Sequence, residues 1–116
     1  MKYFTDEGDF KGNMHKMDPK LLDMLDSLRE AYGHPIVLNS SYRSPDHPIE
    51  AKKSKPGEHT YGAAVDINCV GGEATFKLVK AAIDVGFTRI GISRKSNFVH
   101  VGIGYPDAPS MTIWTY

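Results

Sequence analysis

Cysteine is almost absent from this chain: Cys69 stands alone among 116 residues. One thiol cannot close a disulfide within the chain, so stability must come from an apolar core, helped by a metal if the chain binds one. Surplus charge is absent too. Lysine and arginine total 14, aspartate and glutamate total 14, and the formal net charge is zero. No basic stripe interleaved with aromatics runs along the chain, which sets nucleic acid aside as a partner. Long apolar runs are missing as well. The opening "MKYFTDEGDF" is acidic and fits neither a secretory signal nor a membrane anchor, so neither is expected. Repeats and low-complexity tracts are missing. What remains suits one domain over residues 1–116, with an ordinary hydrophobic share of 41% from which a core can be built.

The first 17 residues show no periodicity and are expected to lie irregularly over the surface. A helix follows. Asp18 suits the N-cap and Pro19 the first helical position. Leu21, Leu22, Leu25 and Leu28 then recur at helical spacing, and Gly33 with Pro35 ends the run. Ile36, Val37 and Leu38 predict a short buried strand, with a loop beginning over Asn39–Ser41. From Ser44 to Glu58 the chain predicts a long exposed loop, a length that in compact domains is often functional. "AAVDINCV" predicts a strand, and Gly71-Gly72 a turn. The helix that follows should turn Phe76, Val79, Ala82 and Ile83 inward and stop at Gly86. "RIGIS", the polar hairpin "RKSN" and "FVHVGIG" predict paired strands, with "MTIWTY" as a last one. The expected class is α+β: a small antiparallel sheet with helices packed on one face.

Alternation along the strands then selects residues. Val65 and Ile67 share one face of their strand, and Asp66 stands on the other. Val99, Val101 and Ile103 share one face of the later strand, and His100 the other. If both apolar faces pack on the helices, Asp66 and His100 emerge together. His59 precedes the first strand by a turn, and Gly62 lets the chain bend back toward them. Two imidazoles and one carboxylate suit Zn2+, with a fourth position open to water, as catalytic rather than structural zinc sites have. A histidine and an aspartate around a turn also serve as hydrogen-bonding residues, and spacing by itself leaves both readings open.

Several separated motifs, in order, resemble the M15 zinc peptidases. "GEHTYGAAVDI" is similar to their S-x-H-x-x-G-x-A-x-D signature, "PIVLNSSYRSP" to their strand and S-x-Y-R-S-P segment, and "GFTRIGISRKSNFVHVGIG" to their closing hairpin. The likeness runs from about Met17 to Gly104. It implies a hedgehog/D-Ala-D-Ala-peptidase-like fold, zinc on His59, Asp66 and His100, and Arg43 as substrate anchor or oxyanion partner. A guanidinium is a fixed bidentate partner for carboxylates and carbonyls. It further implies a metallopeptidase in which zinc-bound water hydrolyses an amide bond in the peptide part of peptidoglycan, as a carboxypeptidase or an endolysin does. The expected partner is a peptidoglycan stem peptide and the expected state a monomer. By analogy, the expected setting is a phage or prophage protein made in the bacterial cytoplasm and acting on the cell wall.

Two departures bear on the chemistry. The signature serine is Gly57. The general base that a metallopeptidase needs is also missing from its usual places. The family acid three residues before the last histidine ligand is Asn97, and the aspartate that relatives commonly carry two residues after it is Gly102. Glu58, Asp46, Glu50 and Asp107 are the remaining acids to consider, and His47 is a candidate to line the cleft and stabilise an oxyanion. The rival reading follows from those losses. A module of the same fold, as in hedgehog domains, would keep zinc for stability and bind a wall peptide or a protein partner without cutting it.

Overall fold

The computed structural model describes residues 1–53, 55 and 57–116. Among these, β1 (Leu38–Ser40), β2 (Ala64–Asn68), β3 (Arg89–Ser93), β4 (Phe98–Gly102) and β5 (Thr112–Thr115) form one sheet in the order β1-β2-β4-β3-β5. The helices are α1 (Asp6–Phe10), α2 (Pro19–Tyr32), α3 (Pro48–Ala51) and α4 (Gly72–Val85), with single 3-10 turns at Met14–Lys16 and Glu58–Tyr61. This is an α+β fold. None of the described helices is long and apolar enough to cross a membrane.

The sheet is mixed rather than wholly antiparallel. β1–β2, β2–β4 and β3–β4 pair antiparallel, but β3–β5 pair parallel. The reason lies in where β4 ends. Gly102 stands beside Arg89, the first residue of β3. A short connection leaving that point delivers the next strand at the same end of the sheet, so β5 runs with β3.

α2 follows its sequence signals closely. Asp18 Oδ1 accepts from the Lys20 N–H at 2.8 Å, Pro19 opens the helix, and Gly33 closes it in the left-handed region. Leu21, Leu25 and Leu28 are fully buried and meet Val65, Ile67, Ile90, Val99 and Val101 in a single core.

Four local expectations are corrected. The first 17 residues are not irregular. Thr5 caps α1 by accepting from the Gly8 N–H, and Phe4, Phe10 and Met17 enter the core. β1 is shifted along the chain to Leu38–Ser40, and Val37 is exposed. The backbone nonetheless pairs there, since the Val37 carbonyl accepts from the Asn68 N–H. α4 turns Thr75, Leu78 and Ala81 inward beside the expected Ala82, and leaves Phe76 and Ile83 exposed. Two apolar stripes lie side by side on this helix, and the one with small alanines faces inward. Finally, the stretch Ser44–Glu58 is not uniformly exposed. It contains α3, and both Glu50 and Glu58 are buried; residues 54 and 56 of that stretch lie outside the described residues.

Gly62 joins the fold to the site. Its φ is +63°, and a Cβ there would stand 2.2 Å from the Lys16 carbonyl oxygen. Only glycine tolerates both conditions. The Asp18 N–H donates to the Gly62 carbonyl at 2.9 Å, so the start of α2 and the turn before β2 are pinned together.

Candidate metal centre and its cleft

β2 and β4 pair with Asp66 directly opposite His100, between the pairs Val65–Val101 and Ile67–Val99. The valines and isoleucine face the core, so the period of two sends Asp66 and His100 to the other face. His59 arrives from the Glu58–Tyr61 turn, which Gly62 closes in the left-handed region. All three side chains are buried. His59 Nε2 lies 3.3 Å and His100 Nδ1 3.1 Å from Asp66 Oδ1. One donor atom from each of the three residues falls within 4.8 Å of the other two.

Each of the three is held from behind. His59 Nδ1 lies 2.7 Å from the Ser41 carbonyl oxygen, so it must donate, which leaves Nε2 as a lone pair facing inward. His100 Nε2 lies 2.6 Å from Glu58 Oε1 and donates to that carboxylate, which leaves Nδ1 facing inward. Asp66 turns Oδ1 inward while Oδ2 accepts from Arg43 Nη2 at 3.2 Å. Three lone-pair donors then face one another in a buried space. Such a set requires either extra protons or a cation between them. Outer partners that fix each ligand's orientation are the usual surroundings of a metal.

The protonation preferences of these residues point the same way. Burial by itself would raise the Asp66 pKa. When their inward nitrogens carry protons, the hydrogen bonds and charges of His100 and His59 outweigh it and hold the carboxyl well below the usual carboxylate range. Burial would lower the His100 pKa, but Asp66 and Glu58 outweigh it and raise it. The space between these groups demands positive charge.

A cleft of about 580 Å³ opens over the centre. Arg43, Arg89, Phe98, Tyr105, Trp114 and Tyr116 are among its walls. Trp114 packs on His100 with ring centroids 5.0 Å apart. It reaches that position by crossing Gly91, where a Cβ would lie 2.7 Å from the indole. The Arg89 guanidinium lies 4.9 Å from the Trp114 ring and 5.4 Å from that of Tyr105.

The other candidate residues are placed as follows. Arg43 lines the cleft and bridges two carboxylates, with Nη1 donating to Glu50 at 3.1 Å and Nη2 to Asp66. Glu58 is buried against His100. Glu50 is engaged by Arg43, Lys53 and the Gly57 N–H. Gly57, where the signature has serine, gives Glu50 room: a Cβ there would meet its carboxylate oxygen at 2.9 Å. Asn97 is exposed in the β3–β4 turn at φ +57° and does not line the cleft. His47 is exposed, accepts from the Ile49 N–H through Nδ1 and caps α3, also away from the cleft walls. Asp46 and Asp107 are exposed and likewise line no part of it. Cys69 is buried 3.7 Å from the Thr75 hydroxyl, a structural position. Arg89 is the residue that sequence reasoning passed over. Its signal was present: Arg89, Gly91 and Ser93 alternate with Ile90 and Ile92, on the same face as His100.

Comparison with known proteins identifies the family. The Peptidase M15 family model matches residues 5–102. The chain is 35% identical over 104 residues to the peptidoglycan L,D-endopeptidase MepK of Escherichia coli (strain K12), and equally to that of Shigella flexneri. The alignment covers 83% of this chain and 57% of each relative, so the chain spans little more than half their length. The chain belongs to the peptidase M15 family.

Proposed function

We propose that this member of the peptidase M15 family is a zinc-dependent peptidase that hydrolyses an amide bond in the peptide part of bacterial peptidoglycan. The observation that carries the proposal is the convergence of His59 Nε2, Asp66 Oδ1 and His100 Nδ1, each oriented by a partner behind it. Two imidazoles, one carboxylate and an open side toward the cleft are the donor set of a catalytic zinc site. When bound there, zinc would supply Lewis acidity and make water a nucleophile near neutral pH.

The chain's own residues supply the rest. Arg43 uses two of its five N–H donors on Glu50 and Asp66, and the remaining donors are available to a substrate carboxylate or carbonyl. Glu50 and Asp66 hold its guanidinium plane in place. Trp114, Tyr105 and Tyr116 offer flat apolar walls to the substrate backbone. The relatives' name makes an internal L,D amide the first bond to look for, ahead of a terminal D-Ala-D-Ala bond. We read residues 1–116 as one domain that works as a monomer on stem peptides. A phage or prophage origin is carried by analogy alone.

A second reading has one observation in its favour. Neither Asn97, exposed in a turn, nor Gly102 brings a free carboxylate to the cleft, and Glu58 is fully engaged. A zinc-stabilised module that binds wall peptide without cutting it would have the same appearance. The discriminating experiment is a mass-spectrometric digest of purified peptidoglycan by zinc-loaded protein, beside a chelated sample and a His100→Ala sample. New fragments that vanish in both controls are expected, and their masses name the bond. Stoichiometric zinc without fragments would leave the binding module standing.

A further inference from the structure

We propose that Glu58 is a positioning residue for the metal centre: its carboxylate holds His100 by Nε2, committing Nδ1 to the metal, and it occupies space that exists because position 102 is glycine. The proposal rests on the metal reading above and goes beyond it by assigning work to a residue outside the ligand set.

The geometry is specific. Glu58 Oε1 lies 2.6 Å from His100 Nε2 and 3.1 Å from Arg89 Nε, and Oε2 accepts from the Gly104 N–H at 2.7 Å. Donors therefore reach both oxygens of a carboxylate that is almost wholly buried. A carboxylate so engaged is a strong anchor and a poor proton acceptor. Consecutive residues of an extended segment point apart, which would separate Glu58 from His59. Here they lie in a 3-10 turn, about 120° apart around its axis. His59 supplies a ligand while Glu58 passes behind to reach His100.

Gly102 completes the case. A Cβ at that position would lie 2.2, 2.3 and 2.4 Å from Glu58 Oε2, Cδ and Oε1. Those distances are overlap, not contact. Gly102 is the last residue of β4 and is not among the glycines with positive φ, so its backbone makes no demand for glycine. The demand comes from the Glu58 carboxylate. A side chain at position 102 would enter the space that the Glu58 carboxylate fills, so a carboxylate placed there is positioned to reach His100 in its stead.

The test uses the full chain as wild type, Glu58→Gln, Glu58→Ala and the double variant Glu58→Ala/Gly102→Asp. Zinc affinity is measured by competition with a chelating indicator, and the His100 ring nitrogens of the zinc-loaded wild type are observed by NMR. The expected result is zinc binding about 10- to 100-fold weaker in both single variants, with recovery in the double variant. The wild-type His100 should carry its proton on Nε2 and the metal on Nδ1. Unchanged zinc affinity in folded Glu58→Gln would overturn the positioning role, and lost cleavage with that affinity intact would make Glu58 a proton acceptor instead. Metal on Nε2 of His100 would overturn the proposal whether or not any variant folds. A folded double variant without recovery would overturn the exchange with Gly102. A wild type that binds no zinc would sink both this proposal and the one it rests on, whereas unchanged affinity in Glu58→Gln sinks this one alone.

Discussion

Strands β2 and β4 show two faces built from alternate residues of the same backbone, and the faces are held in different ways. On one, Val65, Ile67, Val99 and Val101 pack against the leucines of α2. Contacts there are nondirectional, and many apolar sets of the right volume would serve. On the other, Asp66 and His100 are held by named atoms at 2.6–3.2 Å from Glu58, Arg43 and one another. The first face sets where the second can be. The second face tolerates far less change, because a buried polar group left without its partner is costly.

The largest expected effects separate the two faces outright. Asp66→Asn removes the anionic ligand, and zinc retention and cleavage are expected to vanish while the thermal unfolding of the metal-free protein stays cooperative. Leu25→Ala works the other way. It should lower stability by about 2–5 kcal/mol, read by urea unfolding, while the protein that remains folded still binds one zinc per chain. Loss of zinc stoichiometry in folded Leu25→Ala would show that the faces are not separable.

A smaller effect sharpens the polar side. Burial would raise the Glu50 pKa, but the Gly57 N–H, Lys53 and Arg43 outweigh it and hold it below the ordinary 4.5. The folded value is therefore below the unfolded one. As pH falls, the unfolded chain takes up this proton first, so the group's contribution is full above about pH 4.5 and is lost as pH falls through the folded value. Glu50→Gln should lower stability by about 1–3 kcal/mol at pH 7. Its gap from the wild type should narrow in acid, and urea midpoints at pH 7 and below pH 4 measure that closure. A gap independent of pH would mean that Glu50 acts by packing.

The smallest effect concerns His47. It caps a four-residue helix away from the cleft walls, so His47→Ala should leave peptidoglycan cleavage unchanged in the digest assay. A loss of about 10²- to 10³-fold, typical of a removed oxyanion donor, would instead bring α3 over the reacting carbonyl.

How much could be read in advance differed by element, for physical reasons. α2 was legible in full because Asp18, Pro19 and Gly33 are local signals and local geometry satisfies them. α4 was legible as a helix but not as to its face. Its stripe through Phe76, Val79 and Ile83 and its stripe through Thr75, Leu78 and Ala82 have the same period. Packing selected the second. The N-terminal segment was not legible because α1 is short, and its main anchor, Phe10, gains its burial from residues distant in the chain.

The sequence by itself determined the set His59, Asp66 and His100 as one that can converge. Strand alternation has a period of two whatever surrounds it, and the apolar partners Val65, Ile67, Val99 and Val101 say which face is inward. Tertiary structure alone decided what stands behind that set. Whether Glu58 faces toward or away from its neighbour's site depends on the turn type at residues 58–61. Whether it has room depends on Gly102, on a different strand. Whether Arg43 meets Asp66 depends on a loop folding back over the sheet. Those are contacts between elements, and directional bonds between elements have no periodicity for a sequence to display.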